Sequence, residues 1–168
     1  MINREKHFKM ITTAEILSSE VRALSWKQPY GTLMLYGKEE TRTWHTNYRG
    51  LVLICISKKQ YSMVEILNIS GEYQTQRLMK CLSDNRAVEI GPTLGKAIAI
   101  GRLADCRIMT LQNAIKTNQQ DKTFVQYSYG LYRHIYKDVV RIQPFDWKGS
   151  QGWRILSEDV KKLIQPMY

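Results

Sequence analysis

The first half of the chain alternates between short apolar runs and polar turns, a pattern typical of short strands separated by loops. Val21–Ser25 is apolar enough for one strand, and the β-branched run Leu51–Ile56 predicts a second, buried strand. Between them, Tyr30–Tyr36 is compatible with two turns of helix. Pro29 is tolerated in the first turn of such a helix, and Gly37 suits a left-handed C-cap.

The polar segment Glu40–Trp44 is predicted to form a strand between these two. Because side chains alternate across a strand, Glu40, Arg42 and Trp44 then share one face. Together with Lys38, this face indicates a binding surface for a planar, polar or anionic ligand. The same residues also fit a simpler interpretation, in which Glu40 and Arg42 form a salt bridge on a solvated face and Lys38 is a charge at a helix end.

Three further segments have helical signals and one has the composition of a loop. The pattern Thr12-Thr13-Ala14-Glu15 fits a capping box, and apolar residues in Glu72–Leu82 recur at helical spacing. Ser157 is a candidate N-cap for a C-terminal helix. The polar segment Asn113–Lys122 is predicted to be a mobile loop, positioned to cover the binding cleft.

The second half of the chain predicts mostly strands. They are expected within Lys96–Met109, with a bend at Gly101, within Val139–Phe145, and within Trp153–Leu156. Many short strands with few helices favour an α+β, mainly β architecture, built as a small and mostly antiparallel barrel. We expect one such domain over residues 21–168, preceded by an N-terminal extension over residues 1–20.

Composition narrows the class of protein. With 168 residues, 43% of them hydrophobic and 24% charged, the chain is long enough for one globular domain. No apolar run approaches the ~18 residues of a membrane span, so no membrane partner is expected. Cys55, Cys81 and Cys106 are odd in number and lack a C-x-x-C spacing, which favours a reduced, cytoplasmic protein.

The net charge points to an anionic partner. Twenty-five Lys and Arg against 15 Asp and Glu give a formal charge of +10, which favours polyanions such as nucleic acid. The histidines, His7, His45 and His134, are too scattered to predict a metal site. Neither a G-x-x-x-x-G-K-[ST] loop nor a G-x-G-x-x-G loop occurs, so we expect no cofactor.

Four short motifs follow one another along the chain. They are Gln28-Pro29-Tyr30, then Gly37 and Lys38 with Glu40 and Arg42, then Trp44 with Tyr48-Arg49-Gly50, and finally Lys148-Gly149-Ser150-Gln151-Gly152-Trp153. In type and order they resemble the motifs of ASCH domains, a family of the PUA-like superfamily. The resemblance covers roughly Val21 to Leu156 and implies a PUA-like β-barrel with helices packed at its rim.

The resemblance places a ligand cleft beside the predicted strand Glu40–Trp44. We expect that cleft to bind nucleic acid, with RNA preferred over DNA, through cationic side chains and through aromatic rings that stack on bases. The candidate residues are Trp26, Gln28, Lys38, Arg42, Trp44, Tyr48, Arg49, Lys148 and Gln151.

Two alternatives to a binding module stay open. Relatives of this fold include an amidohydrolase that acts on acylated cytidine, and ribonuclease activity is attributed to others. In such a hydrolase the motif lysine is the activating base, so Lys38 and Glu40 are the catalytic candidates, with Glu40 in the place of the family's Thr. PUA-like relatives also hold an extruded base in an aromatic pocket, so the third possibility is a reader of modified bases.

One departure from the family pattern favours binding over catalysis. Between Gly37 and Glu40 the chain is two residues shorter than the family motif. The shorter link predicts that Lys38 is drawn to the rim of the cleft. A lysine there stays solvated and is a poor general base at neutral pH.

Overall fold

Six strands form one curled, mixed sheet in the computed structural model, which describes residues 8–85, 91–112 and 122–168. The strands lie in the order β2-β5-β4-β3-β1-β6, and β1 and β3 are parallel while the other neighbours are antiparallel. Their bounds are β1 Val21–Trp26, β2 Glu40–Arg42, β3 Gly50–Ile56, β4 Lys96–Ile108, β5 Tyr132–Asp146 and β6 Arg154–Ile155.

The predicted α+β class, with few helices, is confirmed, and so is the mostly antiparallel pairing. Closure is not. Among the described strands, β2 and β6 are the two edges of the sheet, so the architecture is a strongly curled half-barrel rather than a closed barrel.

The helices lie between and beside these strands. They are α1 Thr13–Ser18, α2 Tyr30–Leu33, α3 Met63–Asp84 and α4 Glu158–Lys161, with 3-10 turns at Met34–Tyr36 and Gly91–Thr93. The predicted caps at Thr12, Ser157 and Gly37 are confirmed, the last with φ of 83°. Of the predicted loop Asn113–Lys122, residues 113–121 lie outside the described residues. Within the part of the chain that is described, no helix is both long and apolar enough to cross a membrane.

Most strand bounds lie within one residue of the prediction, but β2 and β5 differ more. β2 ends at Arg42 rather than Trp44, and β5 is one long strand that includes the predicted strand Val139–Phe145 and the end of Thr123–Tyr136, where a separate strand with a turn at Gly130 was expected. The early start of β5 follows from its position in the sheet, since Tyr132 pairs with Arg42 of β2 and with Ile108 of β4. Pairing partners on both sides extend a strand beyond what its own sequence pattern predicts.

The sheet is buried on both faces, and β3 contributes to both cores. Val52, Ile54 and Ile56 pack into the first core, against α2 and α3. Leu51 and Leu53 alternate with them and pack into the second core. That second core also contains the fully buried Ile11 and Ile16, so this part of the N-terminal extension packs against the sheet.

Helix α3 has a kink at Gly71, near the cleft described below. Gly71 interrupts the helix with φ of 71° and ψ of 170°, a conformation that glycine adopts without a Cβ penalty. A Cβ at this position would lie 2.0 Å from Nε2 of Gln126. The kink therefore lets the segment after Lys122 approach α3, where the Gln126 N–H donates to the Ile69 carbonyl (3.0 Å).

Candidate functional site

A cleft of about 510 Å³ lies where β1 and β2 meet the segment that precedes β6. The sequence predicted that the Glu40–Arg42 region and the Lys148–Trp153 segment belong to one site, and both contribute to the walls of this cleft. The polar and aromatic side chains that line it are Ser25, Trp26, Lys27, Tyr30, Lys38, Glu40, Thr41, Arg42, Trp44, Ser57, Tyr61, Ser150 and Gln151.

Glu40 is the centre of the hydrogen-bonding network in the cleft. Its Oε2 accepts from the Trp26 indole N–H (2.6 Å) and from Lys38 Nζ (3.1 Å). Arg42 Nε lies 3.2 Å from Oε1, so both carboxylate oxygens face a donor or a cation. The interpretation of Glu40 and Arg42 as a salt bridge on a solvated face is wrong in one respect, because Glu40 is buried.

The charge state of Glu40 follows from these contacts. Burial opposes ionisation, but the Lys38 and Arg42 cations and the hydrogen bonds from Trp26 and Lys38 outweigh it and lower the pKa of the Glu40 carboxyl. Glu40 is therefore ionised, with two hydrogen bonds to Oε2 and the Arg42 cation beside Oε1. A carboxylate of this kind is a weak base at neutral pH.

Lys38 is not at the rim, and the expectation of a solvated lysine is wrong. Its side chain is 1% exposed, and Nζ donates to the Glu39 carbonyl (2.9 Å) as well as to Glu40. The short link is held by its backbone, since Lys38 N–H donates to the Leu33 carbonyl (3.1 Å) and Glu39 N–H donates to the Lys122 carbonyl (2.8 Å). These bonds fix the chain before β2, and the lysine side chain enters the cleft.

Arg42 lies between the cleft and β1. Its Nη2 donates to the Ser25 carbonyl (3.0 Å), and its guanidinium carbon lies 5.3 Å from the centre of the Trp26 ring. The side chain is 23% exposed, so part of the guanidinium remains available to a ligand. Arg42 therefore ties β2 to β1 and also presents positive charge to the cleft.

Two tyrosines form an aromatic wall that sequence reasoning missed. The rings of Tyr30 and Tyr61 meet edge to face at 5.7 Å, and Lys27 Nζ lies 4.8 Å above the Tyr61 ring. The Tyr30 hydroxyl pairs with Ser70 of α3, while burial raises the pKa of the Tyr61 phenol. Tyr61 stands alone in a segment without clear periodicity, so nothing in its local sequence indicated this role.

The two tryptophans have different roles. Trp26 is 2% exposed and packs edge to face against Tyr136, so it forms the floor of the cleft rather than a free stacking surface. Trp44 is half-buried at the wall, held edge to face by His134 (4.9 Å) and Trp153 (5.6 Å). Of the two predicted stacking residues, Trp44 alone keeps an accessible ring.

Besides Lys148, three predicted site residues do not line the cleft. Gln28 is fully buried, donates from Nε2 to Thr32 (2.6 Å) and to Thr93 (2.8 Å), and so connects α2 to the turn before β4. Tyr48 donates to the Leu51 carbonyl (2.7 Å), and Arg49 donates to the Thr46 and Tyr48 carbonyls. For these three residues, the motif marks positions that stabilise the fold.

The last two predicted site residues, Lys148 and Gln151, lie in the segment between β5 and β6. Gln151 is exposed and lines the cleft, whereas Lys148 lines an adjoining groove.

Over the described residues, no three His, Cys, Asp or Glu side chains come together as a metal site would require. Comparison with known proteins adds no family, since neither a protein-family model nor a curated protein matches the chain.

Proposed function

We propose that this chain is an ASCH domain with a PUA-like fold, whose cleft binds nucleic acid, with RNA preferred, and receives one base at a time. The curled half-barrel and the convergence of the two motif segments on one cleft support this proposal. A volume of about 510 Å³ lies in the range of sites for small molecules, and a nucleoside fits within that range.

The observation that carries the proposal is the combination of rings and cations in the cleft. Tyr61 and Trp44 are half-buried rings at its wall, suited to stack on a base. Among the described residues that line it, Lys27, Lys38 and Arg42 are three cations against one carboxylate, Glu40, whose charge is already compensated. Such a site favours a planar ligand that carries negative charge.

Binding is favoured over hydrolysis by the contacts of the two catalytic candidates. An ammonium group that donates to a carboxylate, as Lys38 does to Glu40, acts as a cation and donor and does not accept a proton. Glu40 has both oxygens engaged and a lowered pKa. The ion pair between Lys38 and Glu40 therefore supports recognition, although the shorter link does not place Lys38 at the rim.

A metal-independent hydrolase is the second candidate, because one observation favours it. Lys38 is buried beside a carboxylate at the cleft, and Thr41 lines the same cavity, which gives a lysine, a hydroxyl and an acid in one place. An amide of a modified nucleoside, such as acylated cytidine, is the substrate class that this arrangement suits. A reader of modified bases would use the same cleft without turnover.

The test is a titration of the full chain against fluorescently labelled single-stranded RNA of mixed sequence at several ionic strengths. Cation contacts to phosphates predict salt-dependent binding, with each contact adding about −0.7 to the log–log slope. The duplex form and the DNA form of the same sequence show whether an unpaired base and a 2′-hydroxyl are required. Absence of binding at ~50 mM salt and micromolar protein counts against the proposal.

A further inference from the structure

A second groove of about 430 Å³ adjoins the cleft and shares part of its wall. Ser25, Ser57, Ser150 and Gln151 line both cavities. These side chains carry hydroxyl and amide groups, which donate hydrogen bonds to phosphate and sugar oxygens in nucleic-acid complexes. A ligand that extends from the cleft therefore passes these groups before it reaches the groove.

The groove itself is marked by two lysines. Lys58 and Lys148 are both exposed and line it, and neither makes an ion pair with a described residue. The carboxyl of Asp146, two residues before Lys148, has its pKa lowered by a hydrogen bond from Lys96 and by the charge of Lys58. Because Asp146 already pairs with Lys96 (2.6 Å), the two groove lysines remain open to an anion.

Backbone hydrogen bonds connect the two segments that carry these lysines to one turn, at Gly95. The Ile56 carbonyl at the end of β3 accepts from Gly95 N–H (3.1 Å), and the Gly95 carbonyl accepts from Trp147 N–H (2.8 Å). The stem of Lys58 passes over Gly95, where an added Cβ would lie 3.2 Å from Lys58 Cγ. Trp147 is buried in the second core and anchors Lys148. The groove is thus anchored to the sheet through Ile56 and Trp147, while its other wall is the loop that carries Lys148, Ser150 and Gln151 between β5 and β6.

We infer that the groove is the phosphate subsite of the cleft: a base enters the cleft, and the phosphate of the same or the next nucleotide lies between Lys58 and Lys148. This inference rests on the proposed nucleic-acid function and makes it more specific. The ligand class is a phosphorylated nucleotide, either free or within a strand, in preference to a free nucleoside. Lysine is suited to this role, since its ammonium group contacts a phosphate as a point charge.

The experiment compares three sets of ligands by calorimetry and NMR titration of the full chain. They are the four ribonucleosides with N4-acetylcytidine, the corresponding 3′- and 5′-monophosphates, and a single-stranded RNA of eight nucleotides. We expect a phosphate to raise affinity by about tenfold or more over the nucleoside. If the monophosphates gain as much as the RNA, the source is a free nucleotide; if the RNA alone gains, the source is a strand.

Variants locate this gain in the groove. In the double variant Lys58→Gln/Lys148→Gln, we expect the gain to disappear, nucleoside affinity to stay within about twofold, and the magnitude of the RNA salt slope to fall by about 0.7, the contribution of one phosphate. Lys59→Gln, which changes the charge of a neighbouring exposed lysine that does not line the groove, should leave the gain intact.

The outcomes separate the two proposals. Nucleoside binding without any gain from phosphate overturns the phosphate subsite and leaves the nucleic-acid cleft standing. An equal loss in Lys59→Gln also overturns it, because the effect would then come from overall charge. Failure of nucleosides, monophosphates and RNA alike to bind overturns both proposals.

Discussion

Lys38 Nζ lies 3.1 Å from Glu40 Oε2 in the wall of the cleft, although a single residue separates them in the chain. Side chains at i and i+2 of a regular strand share a face, but here Lys38 precedes β2 and reaches Glu40 from the turn. The pair is shielded from water, since the Lys38 side chain is 1% exposed and that of Glu40 is 10% exposed. Both stability and recognition depend on this contact.

Removal of the Glu40 charge should destabilise the protein strongly. In Glu40→Gln, Lys38 and Arg42 lose their common counter-ion in a buried site, and breaking such a pair costs about 3–5 kcal/mol. Urea denaturation measures this loss in the free energy of unfolding. The matched control is Glu20→Gln, which removes an exposed ion pair with Arg22 and should cost about 0–1 kcal/mol. Equal losses in the two variants would show that the buried network does not contribute as described.

The same carboxylate should make stability depend on pH in the acid range. Because the folded pKa of Glu40 is lowered, the unfolded chain binds the proton more readily, so stability from this group is present above the ordinary pKa of 4.5. That stability is lost as the pH falls through the folded value. Gln resembles a protonated Glu, so the difference in unfolding free energy between wild type and Glu40→Gln should shrink steadily below pH 4.5. A difference that stays constant down to pH 2 contradicts the lowered pKa.

Tyr61 should contribute to binding through its ring rather than its hydroxyl. Tyr61→Leu should weaken binding of single-stranded RNA by about 1–3 kcal/mol, the usual range for one base–aromatic stack. Tyr61→Phe keeps the ring and should bind within about twofold of wild type, by fluorescence anisotropy. Tyr129→Leu, at a ring that is 91% exposed and does not line the cleft, is the control. An equal loss in the Leu and Phe variants would assign the effect to the hydroxyl.

A substitution of Lys38 distinguishes the binding proposal from the hydrolase proposal. With wild type we expect no turnover of N4-acetylcytidine or RNA, because Lys38 donates to Glu40 and the pKa of Glu40 is lowered. Lys38→Met keeps much of the side-chain volume and should weaken RNA binding, because the cleft loses one of its positive charges. Product formation is followed by chromatography, and the melting temperature of the variant shows whether it is folded. Turnover by wild type that is absent from Lys38→Met would establish the hydrolase instead.

Sequence patterns were sufficient for elements whose burial is local. The apolar run of β3, the start of β1 and the caps at Gly37 and Ser157 follow from residues within a few positions of each other. The orientation of Lys38 could not be predicted from nearby residues, because it depends on a backbone hydrogen bond from Glu39 to Lys122, which is distant in the chain.

The set of residues that line the cleft could also be predicted only in part. Motif spacing brought Glu40, Arg42, Trp44 and Gln151 together correctly, since they lie beside one cavity. It also included Gln28, whose buried amide bonds to Thr32 and Thr93, because the motif does not separate residues that bind a ligand from residues that support the fold. Tyr61 reaches the cleft through packing against Tyr30 and through a backbone hydrogen bond to the Gln28 carbonyl (3.0 Å), contacts that no local pattern indicates.

The shared position of β3 has a thermodynamic consequence. Its residues alternate between the two cores, so if β3 leaves the sheet, both cores lose packing residues at the same time. The two faces of the sheet are then one cooperative unit, and heating should melt them in a single calorimetric transition whose calorimetric and van't Hoff enthalpies agree. A cavity made at Leu53, in the second core, should therefore lower the melting point of the cleft on the opposite face by the same amount as that of the whole domain.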